Sequence, residues 1–542
     1  MLTKITHPPR ILLVEDQERL HKPLLRWLTK EGYEVVGATS YSEAKAALTT
    51  EHFHLAIIDI RLVEEDKRNQ EGLKLLADIE QMQLKEVMPC IVLTAHATKK
   101  NILTAYEELG VAHFIEKQSG YRQKLLKAVQ DLFEKRLRIN FELAYDEASD
   151  RLIPAIAQDV HWAQATVPET NLLVPQVQDL LGKLFFGAKT LFVEKLQPGL
   201  TGAAVLRAQA NWGYGIGPSL VVKVSRRDKI KTESHHFEKF VRPYLPANTV
   251  TQISTEYSRH LGVLLYTFAE DDQSPMREFD DFYQNHPAQD IIASLRDLFQ
   301  NTYRYWTDSP DRQIRNLPQL YYNAFQLREA RLLEAINEVV PRFSPQDKTL
   351  TLPRLLLEMT NPVTWLADHR DRCAMPVYHC ITHGDLTGRN IMVSDKGKCW
   401  LIDFYRTYES HILRDFVILE TDIKYRLLPK AKFESFLLLE NSLLAGQSSP
   451  MFSRFSPDLQ KAAEVVAALR DIAYEFLQRP GNRAEENRRE YLLSLLMTTL
   501  NVVRLRHIDP ERKLQAMFSA GLICDELDRL AGRSVNHSNG AG

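Results

Sequence analysis

The sequence predicts a multidomain chain of α/β plus α+β class, a doubly wound parallel sheet followed by a larger mixed region. Three observations predict it. Over residues 1–135, short apolar runs alternate with amphipathic stretches, the pattern of parallel strands joined by helices on both faces. Over residues 189–268 the apolar runs read as strands of an antiparallel sheet, and from about 280 to 530 helical periodicity dominates. A length of 542 residues fits three or four domains at roughly 150 residues each.

Each element follows in order. Ile11-Leu12-Leu13-Val14 reads as a buried strand, and Leu20, Leu24, Leu25, Trp27 and Leu28 give residues 20–29 helical spacing. Glu34-Val35-Val36-Gly37 is a second strand, and residues 42–49 form a helix with Ser42 as its N-cap. Leu55-Ala56-Ile57-Ile58, Cys90-Ile91-Val92-Leu93 and His113-Phe114-Ile115 are the third, fourth and fifth strands. Residues 136–187 are irregularly helical, broken at Pro154, Pro168 and Pro175, and read as a connector. Residues 191–193, 203–210, 220–224 and 262–266 read as strands, a strand-rich stretch over 381–404 interrupts the later helices, and 536–542 reads as a disordered tail.

Composition narrows the function classes. Charged residues make up 25% and the hydrophobic set 44%, too apolar for a disordered chain. Sixty-eight basic residues against seventy acidic ones give a net charge of −2, so no bulk attraction to nucleic acid or anionic lipid is expected. Five scattered cysteines without a CxxC pair write neither a zinc knuckle nor a disulfide framework. The N-terminal residues contain no apolar signal core and no apolar run reaches spanning length, so a cytoplasmic protein without membrane contact is expected.

Four of the five N-terminal strands end in residues with chemical potential. Val14 precedes Glu15-Asp16, Ile58 precedes Asp59, Leu93 precedes Thr94, and Ile115-Glu116 precedes Lys117. In a parallel sheet those ends converge on one edge. Three carboxylates there repel each other unless a divalent cation sits among them, and all-oxygen ligands suit Mg²⁺. The nearby hydroxyl and ammonium are suited to phosphoryl oxygens.

These residues, in this order, resemble the receiver domain of two-component response regulators over residues 8–135. The resemblance implies a flavodoxin-like fold and phosphorylation of Asp59 by a histidine kinase or phosphotransfer protein. It implies Mg²⁺ held by Glu15, Asp16 and Asp59 with the Arg61 carbonyl. Thr94 and Lys117 would bind the phosphoryl group, and Phe114 would be the aromatic that reorients on activation. Three departures stand out: a charge-rich insertion at residues 63–70 before Gly72, the absence of the usual proline after the phosphorylation site, and Gln118 where many receivers have proline.

A second constellation lies far downstream. His383-Gly384-Asp385 is followed by Asn390, the apolar Ile391-Met392-Val393, and then Asp403 at the end of Leu401-Ile402. One carboxylate is placed to take a proton from a substrate hydroxyl, while an Asn and a second Asp can hold metal ions that bridge ATP phosphates. The stretch resembles the catalytic loop of the aminoglycoside phosphotransferase and choline kinase branch of the protein-kinase-like fold. By that resemblance Asp385 is the catalytic base, Asn390 and Asp403 are Mg²⁺ ligands, His383 is a structural support and Asp415 braces the loop.

A bilobal kinase-like fold requires an upstream nucleotide lobe. Leu220-Val221-Val222-Lys223-Val224 matches the strand whose lysine contacts the α- and β-phosphates. Glu233 is preferred over Glu238 as its partner, because Phe237 and Phe240 then fall on a buried helical face. Gly199 and Gly202 are placed in the loop over the phosphates, and Phe268-Ala269-Glu270 at the hinge that meets adenine.

The expected organisation is therefore a receiver at 1–135, a helical connector at 136–187, a nucleotide-binding lobe at 188–270, a helical catalytic lobe at 271–535 and a tail at 536–542. The expected function is a response regulator whose output transfers phosphate from ATP to a hydroxyl of an unidentified acceptor, with the oligomeric state open between monomer and homodimer. A nucleotide-binding but non-catalytic scaffold is the alternative reading. A DNA-binding regulator is the weakest, for want of basic charge and of a helix-turn-helix pattern.

Overall fold

A short strand, β1 (Thr3–Lys4), precedes β2 (Arg10–Val14) in this computed structural model, in which residues 3–4, 8–63, 66, 68–160, 170–196, 202–244, 250–267, 276–352, 357–446, 452–478 and 483–538 are described. Strand β2 shows why the first domain winds both ways. Its side chains alternate between two cores, as period two requires. Ile11 and Leu13 meet Leu24 and Leu28 of α1 (Glu18–Lys30) and Leu125 and Val129 of α5 (Tyr121–Asp131). Leu12 and Val14 meet Ala44 and Leu48 of α2 (Tyr41–Thr50) and Leu75, Leu76 and Ile79 of α3 (Glu71–Gln81).

The sheet is completed by β3 (Glu34–Ala38), β4 (Leu55–Ile58), β5 (Cys90–Thr94) and β6 (His113–Glu116), all parallel in the order β3-β2-β4-β5-β6, with α4 (Lys99–Leu103) between the last two in sequence. The strand order reverses at β2, and such a switch point is where ligands sit beyond the carboxyl ends. One local expectation is corrected. The cap of α2 is Ser40, whose Oγ accepts from the Glu43 N–H, so Ser42 lies inside the first turn. Glu43 reciprocates by accepting from the Thr39 N–H at 2.7 Å, which fixes the start two residues earlier than the apolar pattern suggests.

A second, seven-stranded sheet has the order β1-β7-β8-β9-β10-β12-β11. Its strands after β1 are β7 (Ala144–Tyr145), β8 (Thr190–Lys195), β9 (Ala204–Asn211), β10 (Leu220–Arg226), β11 (Gln252–Tyr257) and β12 (Leu261–Thr267). Helices α6 (Glu147–Asp159) and α7 (Thr170–Leu184) cover one face. There Ile153, Ile156, Val177 and Leu181 pack with Leu206, Val222, Val224 and Val263. Residues 143–160 and 173–185 are thus built into this sheet's core rather than forming a separate connector, residues 161–169, with Pro168, lie outside the described residues, and residues 3–4 belong to this sheet rather than to the receiver. Helical periodicity marks a buried face but not the surface that buries it.

The chain divides into two compact units, Met1–Ser234 with Thr251–Phe268, and His235–Val250 with Ala269–Gly542. The second unit is mainly helical. Its helix Ala484–Val503 is buried along most of its length, beside Arg414–Asp422, Pro457–Leu477 and Pro510–Ser538. That last helix continues through Ser538, so residues 536–538 are helical rather than a disordered tail, and 539–542 lie outside the described residues. All five cysteines are buried, and among the described residues no helix is long and apolar enough to cross a membrane.

The first unit carries an acid-sensitive contact. His260, between β11 and β12, meets Gln176 Nε2 of α7 at 3.1 Å through Nδ1, and its backbone N–H donates to Gln176 Oε1 at 2.8 Å. Burial, with help from Arg259 and His52, pushes the imidazole pKa down to about 4. The unfolded chain takes up this proton near pH 6.5 and the folded chain does not, so stability falls as pH drops from about 6.5 to about 4. Urea midpoints at pH 7.5 and 5 should show a smaller loss for His260→Gln than for the wild type.

Candidate functional site

The carboxyl edge of the parallel sheet carries five of the predicted residues. Val14 is in register with Ile58, so Glu15 and Asp59 emerge side by side. Thr94 ends β5, and Lys117 follows β6. Lys117 Nζ lies 2.6 Å from Glu15 Oε2 and also donates to Asp59 Oδ2. Carboxylate oxygens of Glu15, Asp16 and Asp59 approach within 4.8 Å of one another. Thr94 is buried, and its Oγ1 accepts from the His96 N–H at 3.2 Å. Phe114 is partly buried, and its N–H donates to Tyr106 Oη at 3.0 Å.

The electrostatics of this edge suit a cation. Burial pushes the Glu15 carboxyl up to about 7, against the lowering effect of Lys117, and the charges of Asp59 and Asp16 push the same way as burial. Glu15 Oε1 is buried without a hydrogen-bond partner. Lys117 contacts Glu15 and Asp59, and a hard divalent ion among the three clustered carboxylates would take oxygen ligands only. Glu15, Asp16 and Asp59 fit Mg²⁺ on that ground. Burial lowers the Lys117 pKa, but Asp59 and Glu15 outweigh it and raise it overall, so the ammonium stays charged.

In the second unit, strand Ala374–Thr382 delivers the loop at 383–390. Asp415, at the start of helix Arg414–Asp422, accepts from the His383 N–H at 2.7 Å, the Gly384 N–H at 2.8 Å and Tyr303 Oη at 3.1 Å. His383 is buried and its Nε2 donates to the Ile402 carbonyl at 2.9 Å. The Gly384 carbonyl accepts from buried Arg414 at 3.0 Å. Gly384 has φ +79, and a Cβ there would fall 2.2 Å from the Arg406 carbonyl oxygen, so glycine is required. Asp415→Ala should destabilise this unit by about 1–3 kcal/mol for each stranded buried donor, read from its urea midpoint.

Strands Ile391–Ser394 and Cys399–Leu401 form a hairpin, and the Ile402 N–H donates to the Asn390 carbonyl at 3.1 Å. This brings Asn390 and Asp403 to the same end. Asn390 Nδ2 donates to the Asp385 carbonyl at 2.7 Å, which leaves its amide oxygen as the group chemically suited to a cation. Asp403 has φ +66, a left-handed conformation that costs a non-glycine residue on the order of 1–3 kcal/mol and concentrates at functional sites. Burial raises the Asp385 pKa; Arg406 opposes the rise and Asp403 adds to it. A more basic carboxylate is better matched to taking a proton.

Lys223 lies on β10 with side-chain parity opposite to Val222 and Val224, so it points away from the α6–α7 core. On that side lies α8 (Arg227–His236), whose buried Glu233 places Oε2 2.8 Å from Lys223 Nζ. Tyr266 Oη of β12 donates to Glu233 Oε1 at 3.0 Å. The Gly202 carbonyl accepts from Ser225 Oγ at 3.1 Å. Gly199 and residues 268–270 lie outside the described residues.

Several groups escaped the sequence reading. Asp422 accepts from the Gly388 N–H at 2.8 Å, and Arg426 ties Asp422 to Asp280. Asp422 and Arg426 form an i,i+4 pair that helical spacing could have marked, whereas Gly388 and Asp280 come from separate elements and left no local signal. His52 and His54 close on Asp179 of α7 at 2.7 and 3.0 Å, all three buried. This donor set resembles a metal site, but the Arg10 N–H donates to His54 Nδ1 at 2.8 Å. With Nδ1 an acceptor, a neutral His54 carries its proton on Nε2 and spends it on Asp179. Burial raises the Asp179 pKa, but His54 and His52 outweigh it and hold the carboxyl well below its usual range. The cluster is a hydrogen-bonded clasp between β4 and α7.

Comparison with known proteins matches both regions. The family described as "Response regulator receiver domain" matches residues 11–130. The family described as "Ternary complex associated domain 9" matches residues 188–327 and 326–502, together more than half of the chain. The transcriptional regulatory protein GlrR of Escherichia coli K12 is 32% identical over 167 residues, 31% of this chain and 32% of its own. The alginate biosynthesis transcriptional regulatory protein AlgB of Pseudomonas aeruginosa is 30% identical over 173 residues, 30% of this chain and 36% of its own. The match thus spans about a third of the length of these curated relatives. Among solved structures, the non-phosphorylated HemR receiver domain of Leptospira biflexa is 33% identical, with a TM-score of 0.20, covering 23% of this chain and 93% of its own.

Proposed function

The chain belongs to the ternary complex associated domain 9 family and is a two-component response regulator with an N-terminal receiver domain; from that premise we propose that its output is an ATP-dependent phosphotransferase that acts on a hydroxyl acceptor. The observation that carries this reading is the pairing of Lys223 with Glu233. In protein kinases a lysine on the third strand of the nucleotide lobe pairs with a glutamate of the next helix. Lys223 lies on the third strand of the antiparallel run β8, β9, β10, and Glu233 lies on the helix that follows.

The second unit carries residues suited to phosphoryl transfer. Asp385 accepts the proton of the acceptor hydroxyl, on a loop fixed by Asp415, Arg414 and Asp422. Asn390 and Asp403 are the residues that would hold Mg²⁺, and Lys223 would contact the α- and β-phosphates of ATP. When bound, the metal supplies charge neutralisation for the transferred phosphoryl group. In the receiver, a histidine kinase or phosphotransfer protein is the donor to Asp59. The test is conversion of labelled ATP to ADP with transfer of label to candidate hydroxyl acceptors, with and without beryllofluoride as a mimic of phospho-Asp59. Turnover no higher than that of an Asp385 variant in both states would overturn the enzymatic reading, and ATP binding with zero turnover would leave a scaffold.

A second reading is favoured by the names of GlrR and AlgB, both transcriptional regulatory proteins. On that reading the output acts on DNA. Binding to duplex DNA that weakens steeply with added salt would support it.

A further inference from the structure

The helix that carries Glu233 is clamped by the receiver. Arg227, the first residue of α8, is buried and donates through Nη1 to the Gln83 carbonyl at 2.8 Å. Its Nη2 also pairs with Glu86, and Lys231 one turn later reaches the same carboxylate at 2.9 Å. Gln83 and Glu86 lie just beyond the C-terminus of α3. Gln83 has φ +55, an unfavourable conformation for a non-glycine residue. A single guanidinium thus holds both a backbone carbonyl and a carboxylate of the receiver.

The other end of α3 is fixed on the phosphoacceptor. The Gly72 N–H donates to the Ile60 carbonyl at 3.0 Å, and a Cβ on Gly72 would fall 1.9 Å from the Asp59 carbonyl oxygen. Between those ends α3 is an 11-residue helix, about 16 Å long. Leu73, Leu75, Leu76 and Ile79 seat it in the receiver core. A close-packed helix moves as a body rather than bending.

We propose that α3 is a rod that links the phosphoacceptor Asp59 to α8, so that phosphorylation of Asp59 repositions Glu233 and with it the Lys223–Glu233 pair. Loading of Asp59 draws Lys117 onto the phosphoryl oxygens and changes the backbone against which Gly72 packs. The displacement passes along α3 to Gln83 and Glu86, and through Arg227 and Lys231 to α8. Arg227 is a positioning residue in this scheme. The consequence for nucleotide rests on the reading of Lys223 given above; the movement of α8 does not.

Hydrogen–deuterium exchange on the full chain tests this, with beryllofluoride and Mg²⁺ as the probe. Exchange of amides in 227–236 should change by about fivefold or more on loading, the lower end of ordinary allosteric couplings. In Arg227→Ala/Lys231→Ala, which removes the contacts of α8 with both Gln83 and Glu86, the peptides around Asp59 should still respond while those of α8 no longer do. Arg227→Lys, which keeps the charge but not the forked contact, should respond weakly. An α8 response that survives in the double variant overturns the proposal, and so does a wild type whose α8 amides do not respond. MgATP titration of the same samples separates the two claims: an α8 response that depends on Arg227 and Lys231, without nucleotide binding, supports the rod and overturns the nucleotide reading.

Discussion

Asp59→Asn is expected to abolish phosphorylation of the chain. The reaction forms a bond between an Asp59 carboxylate oxygen and phosphorus as the donor's bond to phosphorus breaks, and an amide offers no comparable nucleophile. The substitution also removes one of the three carboxylates suited to Mg²⁺. It should leave the fold intact, because the amide is nearly isosteric and Lys117 keeps Glu15 at 2.6 Å. Incubation with a labelled small-molecule phosphodonor should give an acyl phosphate, cleaved by hydroxylamine, on the wild type and none on the variant. Persistent label on Asp59→Asn would place the acceptor elsewhere.

Asp385→Asn should lower phosphotransfer by about 10²–10⁴-fold, the range set by loss of a general base. Nucleotide affinity should change little, since Lys223 and the metal-binding pair remain. The loop should also keep its shape, because His383, Gly384 and Gly388 are held through their backbone N–H groups by Asp415 and Asp422 rather than by the Asp385 carboxylate. Raising of the wild-type carboxyl pKa by burial makes it a stronger base, and that advantage disappears with the amide. Equal turnover in wild type and variant would remove Asp385 from the reaction.

The receiver was legible because its chemistry sits at strand ends, and strand ends are visible in a sequence of alternating apolar runs. Glu15, Asp59, Thr94 and Lys117 could be placed on one edge for that reason. The choice of Glu233 as partner of Lys223 rested on Phe237 and Phe240 sharing its helical face, and the two side chains lie 2.8 Å apart. Module boundaries were not legible. Residues 3–4 pair in the seven-stranded sheet and residues 143–160 and 173–185 pack in its core, long-range contacts that local periodicity does not encode. The Asp179 clasp and the Arg227–Glu86 contact were invisible for the same reason, since their partners are 125 and 141 residues apart. The start of α2 was misread because capping depends on which oxygen faces the first free N–H groups, not on where apolar residues begin.

Equilibrium binding of MgATP to the full chain, measured by calorimetry on wild type and Lys223→Ala, reports whether Lys223 holds a nucleotide. Saturable binding to the wild type, weakened by about tenfold or more in the variant, is the predicted result, the loss of one charge-assisted phosphate contact. No heat of binding to the wild type, or equal affinity in the two proteins, would contradict a nucleotide-handling output built on Lys223.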